Sequence, residues 1–161
     1  KIMVLLDVDG FSKKALESAF ERTLEVIASL CLQIEDAGMA LGFATNGTTL
    51  GGDFSLTPTG QGPQQVPAVL EALARVQMQP EKTLAEIMQQ SVIPVRGISC
   101  LCFACENSPE LNRMGRQCRQ KHIPLTLFVH QFDGGSPVVG QKAAMGALLI
   151  EGLLAAKEAP S

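Results

Sequence analysis

An apolar run at residues 2–6 leads into two aspartates one residue apart, Asp7 and Asp9, followed by Gly10. Two carboxylates on one turn support two kinds of chemistry. In the first, one carboxylate attacks an electrophile such as phosphorus, and the other protonates the leaving group and then activates water. In the second, both hold a hard cation such as magnesium or manganese, which takes oxygen ligands.

Other groups have reactive side chains with plainer explanations. Cys102 and Cys105 are separated as in a zinc knuckle, and Cys118 and His122 lie downstream. However, Cys100 and Cys102 alternate with Leu101 and Phe103 in what reads as a buried strand, where a free thiol packs as a small hydrophobe. Core packing is the expectation, because structural zinc also wants glycine-rich turns around its cysteines. His122 and His130 have no Ser, Cys or Asp partner nearby in sequence, which argues against a catalytic triad. Arg113, Arg116, Arg119 and Lys121 recur along one helix and read as its solvated face, with a partner surface as the alternative.

These residues need elements to position them. The wholly apolar run 2–6 predicts a strand buried on both faces. Ser12 is placed to cap a long helix whose apolar face is Leu16, Phe20, Leu24, Ile27, Cys31 and Ile34, with Gly38 to stop it. Residues 39–45 predict a second strand opening into the turn at Thr45, Asn46 and Gly47. The Gly-, Thr-, Pro- and Gln-rich stretch 46–67 reads as a long exposed loop, with a short edge strand around 49–56. Val69, Leu70, Leu73 and Val76 predict a helix closed near Pro80; Leu84, Ile87 and Met88 predict another, with Glu81 in its first turn. Strands are expected at 97–104 and 124–129, a basic amphipathic helix at 109–122, and a last helix across 138–157 carrying Met145, Leu148, Leu149 and Leu153.

Strands alternating with helices predict a three-layer α/β sandwich, a mostly parallel sheet with helices on both faces. Ligands of such sheets sit beyond the carboxyl ends of the strands. The turns at Asp7, at Thr45–Asn46 and at Cys105–Glu106 should therefore share one rim. The 161 residues fit one domain able to build its own core. A formal net charge of −3 with no basic block, and neither Trp nor Tyr, exclude a nucleic-acid surface. Five cysteines, an odd number in a chain this size, read as reduced thiols. No apolar run is long enough to span a membrane. The chain begins at Lys1, already inside a strand pattern, which suggests a domain cut from a longer parent.

Two resemblances bear on function. Asp7-Val8-Asp9-Gly10, with Thr45 after the second strand, resembles the haloacid dehalogenase phosphatases. That likeness implies Asp7 as nucleophile, Asp9 as acid and base, Thr45 as a phosphate holder and a bound magnesium ion. It weakens at Phe11 and in the fourth strand's exit, where Asp133 stands without a partner carboxylate and no phosphate lysine is identifiable.

The longer resemblance covers about residues 1–130. The words from Ala19 through Gly47, "AFERTLEVIASLCLQIEDAGMALGFATNG", and "VLEALARV" at 69–76 resemble the "domain of unknown function 58" family, whose C-terminal half is von Willebrand factor A-like. The resemblance implies a non-catalytic protein interaction or assembly domain in a bacterial, membrane-anchored parent, the soluble part facing the cytoplasm. The implied partner is a MoxR-type AAA+ ATPase, and the anchor would lie in an N-terminal part outside this chain. It also implies a metal-ion-dependent adhesion site on an Asp-x-Ser-x-Ser loop. Here Asp7 matches the Asp, Asp9 and Phe11 replace the two serines, and Ser12 is one residue out of register. Thr59, or Thr57, stands for the loop threonine, and Glu106 for the distal acid. The expected site is degenerate, with two open alternatives: magnesium or manganese held through Asp7 and Asp9, or metal binding lost.

Overall fold

A computed structural model describes residues 1–130 and, beyond them, the backbone of three two-residue strands. Its elements run β1 (Ile2–Leu6), α1 (Asp9–Lys13), α2 (Glu17–Asp36), β2 (Leu41–Thr45), β3 (Gly47–Thr49), β4 (Leu56–Gly60), α3 (Gln65–Arg75), β5 (Val76–Pro80), α4 (Leu84–Ile87), a π-helical turn at Met88–Val92, β6 (Ser99–Ala104), α5 (Pro109–Gln120) and β7 (Leu125–Val129), followed by β8 (Phe132–Asp133), β9 (Ser136–Pro137) and β10 (Leu148–Leu149).

Six strands form one sheet in the order β10-β7-β6-β1-β2-β4, parallel throughout except for β4. The apolar runs of β1 and β6 explain why they are central. Val4 and Leu6 face one helical layer while Met3 and Leu5 face the other, and all four are at most 1% exposed. Phe103 likewise packs toward α2 and α3, while Cys100, Cys102 and Ala104 pack toward α4 and α5. Each large side chain so buried contributes about 1.5–3 kcal/mol.

The long helix forms as its apolar spacing demands, with Phe20, Ile27, Cys31 and Ile34 buried. Gly38, at φ +69°, takes the left-handed position that ends it. Ser12 does not cap this helix. It lies inside the separate short α1, and α2 starts at Glu17 without a side-chain cap. The intervening residue Ala15, at φ +49°, makes the corner.

The 46–67 stretch is not one open loop. The edge strand falls at Leu56–Gly60, and β3 pairs instead with β5 in a small antiparallel sheet. Nor does the helix at 65–75 continue to Pro80, since Val76 is already extended. Helical and extended spacings both fit Val76 and Met78, and the β-branched Val76 packs into the core as the first residue of β5. At the outer edge, the Gln65 side-chain amide donates to the carbonyls of Leu41 at 2.7 Å and Pro58 at 2.8 Å.

Of the helix expected across 138–157, only Leu148–Leu149 are described. They form a strand parallel to β7, paired with Phe128 and Val129, and the remainder lies outside the described residues. Gly146 and Gly152 weaken a helix there, and short apolar runs do not distinguish the two periods. Among the described residues, no helix is long and apolar enough to cross a membrane.

Candidate functional site at the carboxyl-end rim

The parallel strands β1, β2, β6 and β7 all end at one rim, which gathers Asp7, Asn46, Cys105 and His130. Asp7 is held there from two sides. Its N–H donates to the Phe103 carbonyl of β6 at 2.8 Å. Its Oδ1 accepts the Asn46 amide at 2.8 Å and the Asp9 N–H at 3.1 Å. Asn46 also accepts the Val8 N–H through its own Oδ1 at 2.9 Å, and its carbonyl accepts the Glu81 N–H at 2.8 Å. One residue thus ties together the loop after β1, the turn after β2 and the segment after β5.

Asp7 is 9% exposed, and burial raises its carboxyl above the ordinary range. The Asp9 N–H and the Asn46 amide oppose that rise by bonding the charged form. Glu110, in the first turn of α5, is also raised, by burial first and then by the charges of Asp7 and Asp9. One of its oxygens, Oε1, is buried without a hydrogen-bond partner. Sequence reading placed the Asn46 turn on this rim without giving its side chain a role, and missed Glu110. Asn46 resembles an ordinary turn residue, and Glu110 an ordinary acid in a helix first turn.

The other expected ligands separate. The Asp9 carboxylate pairs with Lys13 at 2.6 Å, and Glu106 pairs with Lys14 at 2.7 Å. Both ammonium groups are raised, chiefly by those hydrogen bonds. Ser12 is half-buried within α1. Thr59 stands on β4 beside Gly42, and Thr57 pairs with Phe43. Because β4 runs antiparallel, Thr59 lies about 10 Å below the rim and two strands across from β1. It does not reach Asp7. The segment that does return to the rim is the one at Glu81. Among the described residues, no three His, Cys, Asp or Glu side chains converge as a metal would need.

Phe11, at the second serine position, is fully buried. Its ring meets Phe20 and His130 edge-on, with centroids 5.7 and 5.8 Å away. His130 is buried too, its Nε2 lying 2.7 Å from the Thr23 hydroxyl. The same hydroxyl lies 2.8 Å from the Ala19 carbonyl. Gly10 is needed for packing, since a Cβ there would meet the Cys105 Cβ at 2.8 Å.

Thr45, the residue expected to hold a phosphate, has its hydroxyl turned inward. It donates to the Leu6 carbonyl at 3.0 Å and accepts the Gly47 N–H at 3.1 Å. The zinc set does not assemble either. Cys102 and Cys118 pack on one face of the sheet and Cys105 on the other, and His122 is exposed at the end of α5. All five thiols are free and buried. Arg113, Arg116, Arg119 and Lys121 are exposed, as a solvated face requires.

No protein-family model matches the chain. No curated protein matches it either. Solved structures do. An aerotolerance-related membrane protein from Bacteroides fragilis, solved with multiple mutations to serines, superposes with a TM-score of 0.60 at 11% identity, covering 98% of this chain and 94% of that one. Proximal thread matrix protein 1 from the mussel byssus superposes with a TM-score of 0.57 at 10% identity; this chain is covered over 95% and spans 44% of that protein. Likeness at such identities speaks for the fold alone. The architecture is the von Willebrand factor A-like, three-layer α/β sandwich, a mostly parallel sheet with helices on both faces.

Proposed function

We propose that this chain is a non-catalytic protein interaction or assembly domain of the "domain of unknown function 58" type. In this reading it serves a membrane-anchored bacterial parent on the cytoplasmic side and works with a MoxR-type AAA+ ATPase. The observation that carries it is the state of the rim. Asp7 is fixed by Asn46 and the Asp9 N–H, while the positions that would supply hydroxyls hold an Asp9–Lys13 ion pair and a buried Phe11.

A resident magnesium or manganese ion fits this donor set poorly. Asp9 and Glu106 already face ammonium groups, and Thr59 is out of reach. The rim therefore engages its partner through charge and shape, with Asp7 as an oriented acceptor. The inward Thr45 hydroxyl supports the same reading over phosphoryl transfer.

Biolayer interferometry with a purified MoxR-type ATPase from the source organism tests the proposal. Binding should survive chelation by EDTA and weaken in Asp7→Asn. Absence of binding, or hydrolysis of a generic phosphate ester with magnesium that is lost in Asp7→Asn, would overturn it. Calorimetry showing tight magnesium or manganese binding abolished in Asp7→Ala would overturn the metal-free part.

A further inference from the structure

Beside the Asp7–Asn46 clamp lies an open groove of about 520 Å³ between the β3–β4 turn and the segment 81–91. Thr48 and Asp53 stand on one wall, and Glu81, Lys82, Gln90 and Ser91 on the other. Leu56, 37% exposed, supplies an apolar spot on the groove surface. We propose that this groove binds an extended polypeptide segment bearing a lysine or arginine, with the cation received between Asp53 and Glu81. The proposal rests on the interaction reading above and names the partner's chemistry.

Three observations carry it. First, the walls offer unused polar groups. Thr48, Glu81, Gln90 and Ser91 have no side-chain hydrogen bond or ion pair among the described residues. A lining of hydroxyl, amide and carboxylate groups suits a backbone with polar side chains better than an apolar small molecule, whose pockets are mostly hydrophobic.

Second, the charge is unbalanced toward acid. Two carboxylates in the groove, Asp53 and Glu81, face one ammonium, Lys82; Asp53 is lowered chiefly by its hydrogen bonds from Ser55, with Lys82 adding to them. Among the described residues Glu81 has no ion pair. The neighbouring rim adds Asp7, Asp9, Glu106 and Glu110 against Lys13, Lys14 and Arg113, with Asp9 and Glu106 already paired to the two lysines. Such a field draws a cationic segment and repels an anionic one.

Third, the walls are preorganised. Glu81 is pinned by its N–H to the Asn46 carbonyl, and the Ser55 hydroxyl and N–H fix Asp53. Gln90 and Ser91 stand on the π-helical turn, an irregularity common where a helix serves a site.

Fluorescence anisotropy with a labelled decapeptide of alternating Lys and Ser, and its Glu-for-Lys counterpart, tests the inference. The basic peptide should bind in a salt-sensitive way, and the acidic one should not. The double variant Asp53→Asn, Glu81→Gln should weaken binding roughly three- to tenfold. The control pair Glu35→Gln, Asp36→Asn, at the far end of α2, should leave it unchanged. All four positions are exposed, so circular dichroism should show each variant folded. Failure of the basic peptide to bind, equal binding of both peptides, or equal loss in the control pair would overturn the inference. A chain that binds the ATPase yet ignores the basic peptide refutes this inference and leaves the interaction reading standing.

Discussion

Asn46 offers the sharpest test of how the rim is held. Replacing it with aspartate keeps an oxygen at the Val8 N–H but turns the donor facing Asp7 into a second acceptor, 2.8 Å from Asp7 Oδ1. Two carboxylates at that approach repel. At an effective dielectric near 20, charges about 4 Å apart cost about 4 kcal/mol. The pair can escape by sharing one proton, as carboxylate dyads do. Holding a proton at pH 7 against an unfolded value of about 3.9 costs a similar amount, about 4 kcal/mol.

Asn46→Asp should therefore lose about 3–4 kcal/mol at pH 7. The sign of its pH dependence follows by linkage. A carboxyl whose folded value is raised binds more protons folded than unfolded, so stability falls as pH climbs above the unfolded value. The deficit relative to wild type should accordingly shrink between pH 6 and 4. Asn46→Ala makes the comparison, because it strands the Val8 N–H and takes the amide from Asp7; it costs about 1–3 kcal/mol, with a shallower pH slope of the same sign, since no second carboxylate is introduced. Urea denaturation of all three proteins from pH 4 to 7.5 gives the comparison. A loss below about 1 kcal/mol for Asn46→Asp at pH 7, or a deficit that does not shrink on acidification, would refute the clamp as described.

Other expectations follow from the same geometry. Asp7→Asn keeps an acceptor for the Asn46 amide and removes a carboxylate that burial disfavours. It should raise the melting temperature at pH 7, with the gain fading as pH falls toward the ordinary carboxyl value. Phe11→Ala should cost about 3–5 kcal/mol in chemical denaturation, because the ring is fully buried between Phe20 and His130. Arg75 lies 4.4 Å over the Phe54 ring, pairs with Glu71 and donates to the Leu50 carbonyl. Arg75→Ala should cost about 1 kcal/mol and speed amide exchange across residues 50–54. Burial pushes the thiols of Cys31 and Cys100 up to about 12, so a thiol reagent at pH 8 should label neither until the protein unfolds.

The elements legible in the sequence were those with dense apolar spacing. β1, α2, β2, β6, α5 and β7 lie where their periodicity put them, because each buries a full face against the sheet or its helices. β4 carries "LTPTG", with a proline inside it and no buried side chain, so only pairing with β2 makes it a strand. That pairing had a consequence for the site. Once β4 runs down, α3 must run back up, and the loop arriving at the rim is the one at Glu81, not the one at Thr59. Asp7 was legible because an apolar strand ended on it. Its partner was not, since Asn46 acts across 39 residues of sequence. Nothing local distinguishes it from any turn asparagine.

The outer edge of the sheet carries a consequence for crowding. A bare edge strand is a template on which another chain can add itself, and long, flat, apolar edges do so readily. Here the edge is five residues long, Pro58 has no N–H to offer, and the Gln65 amide already occupies the Pro58 carbonyl. Copies packed side by side would find little at β4 to extend into a shared ribbon. A domain closed in this way at its β4 edge can be concentrated without polymerising there, and its contacts through rim side chains remain free to form and dissolve.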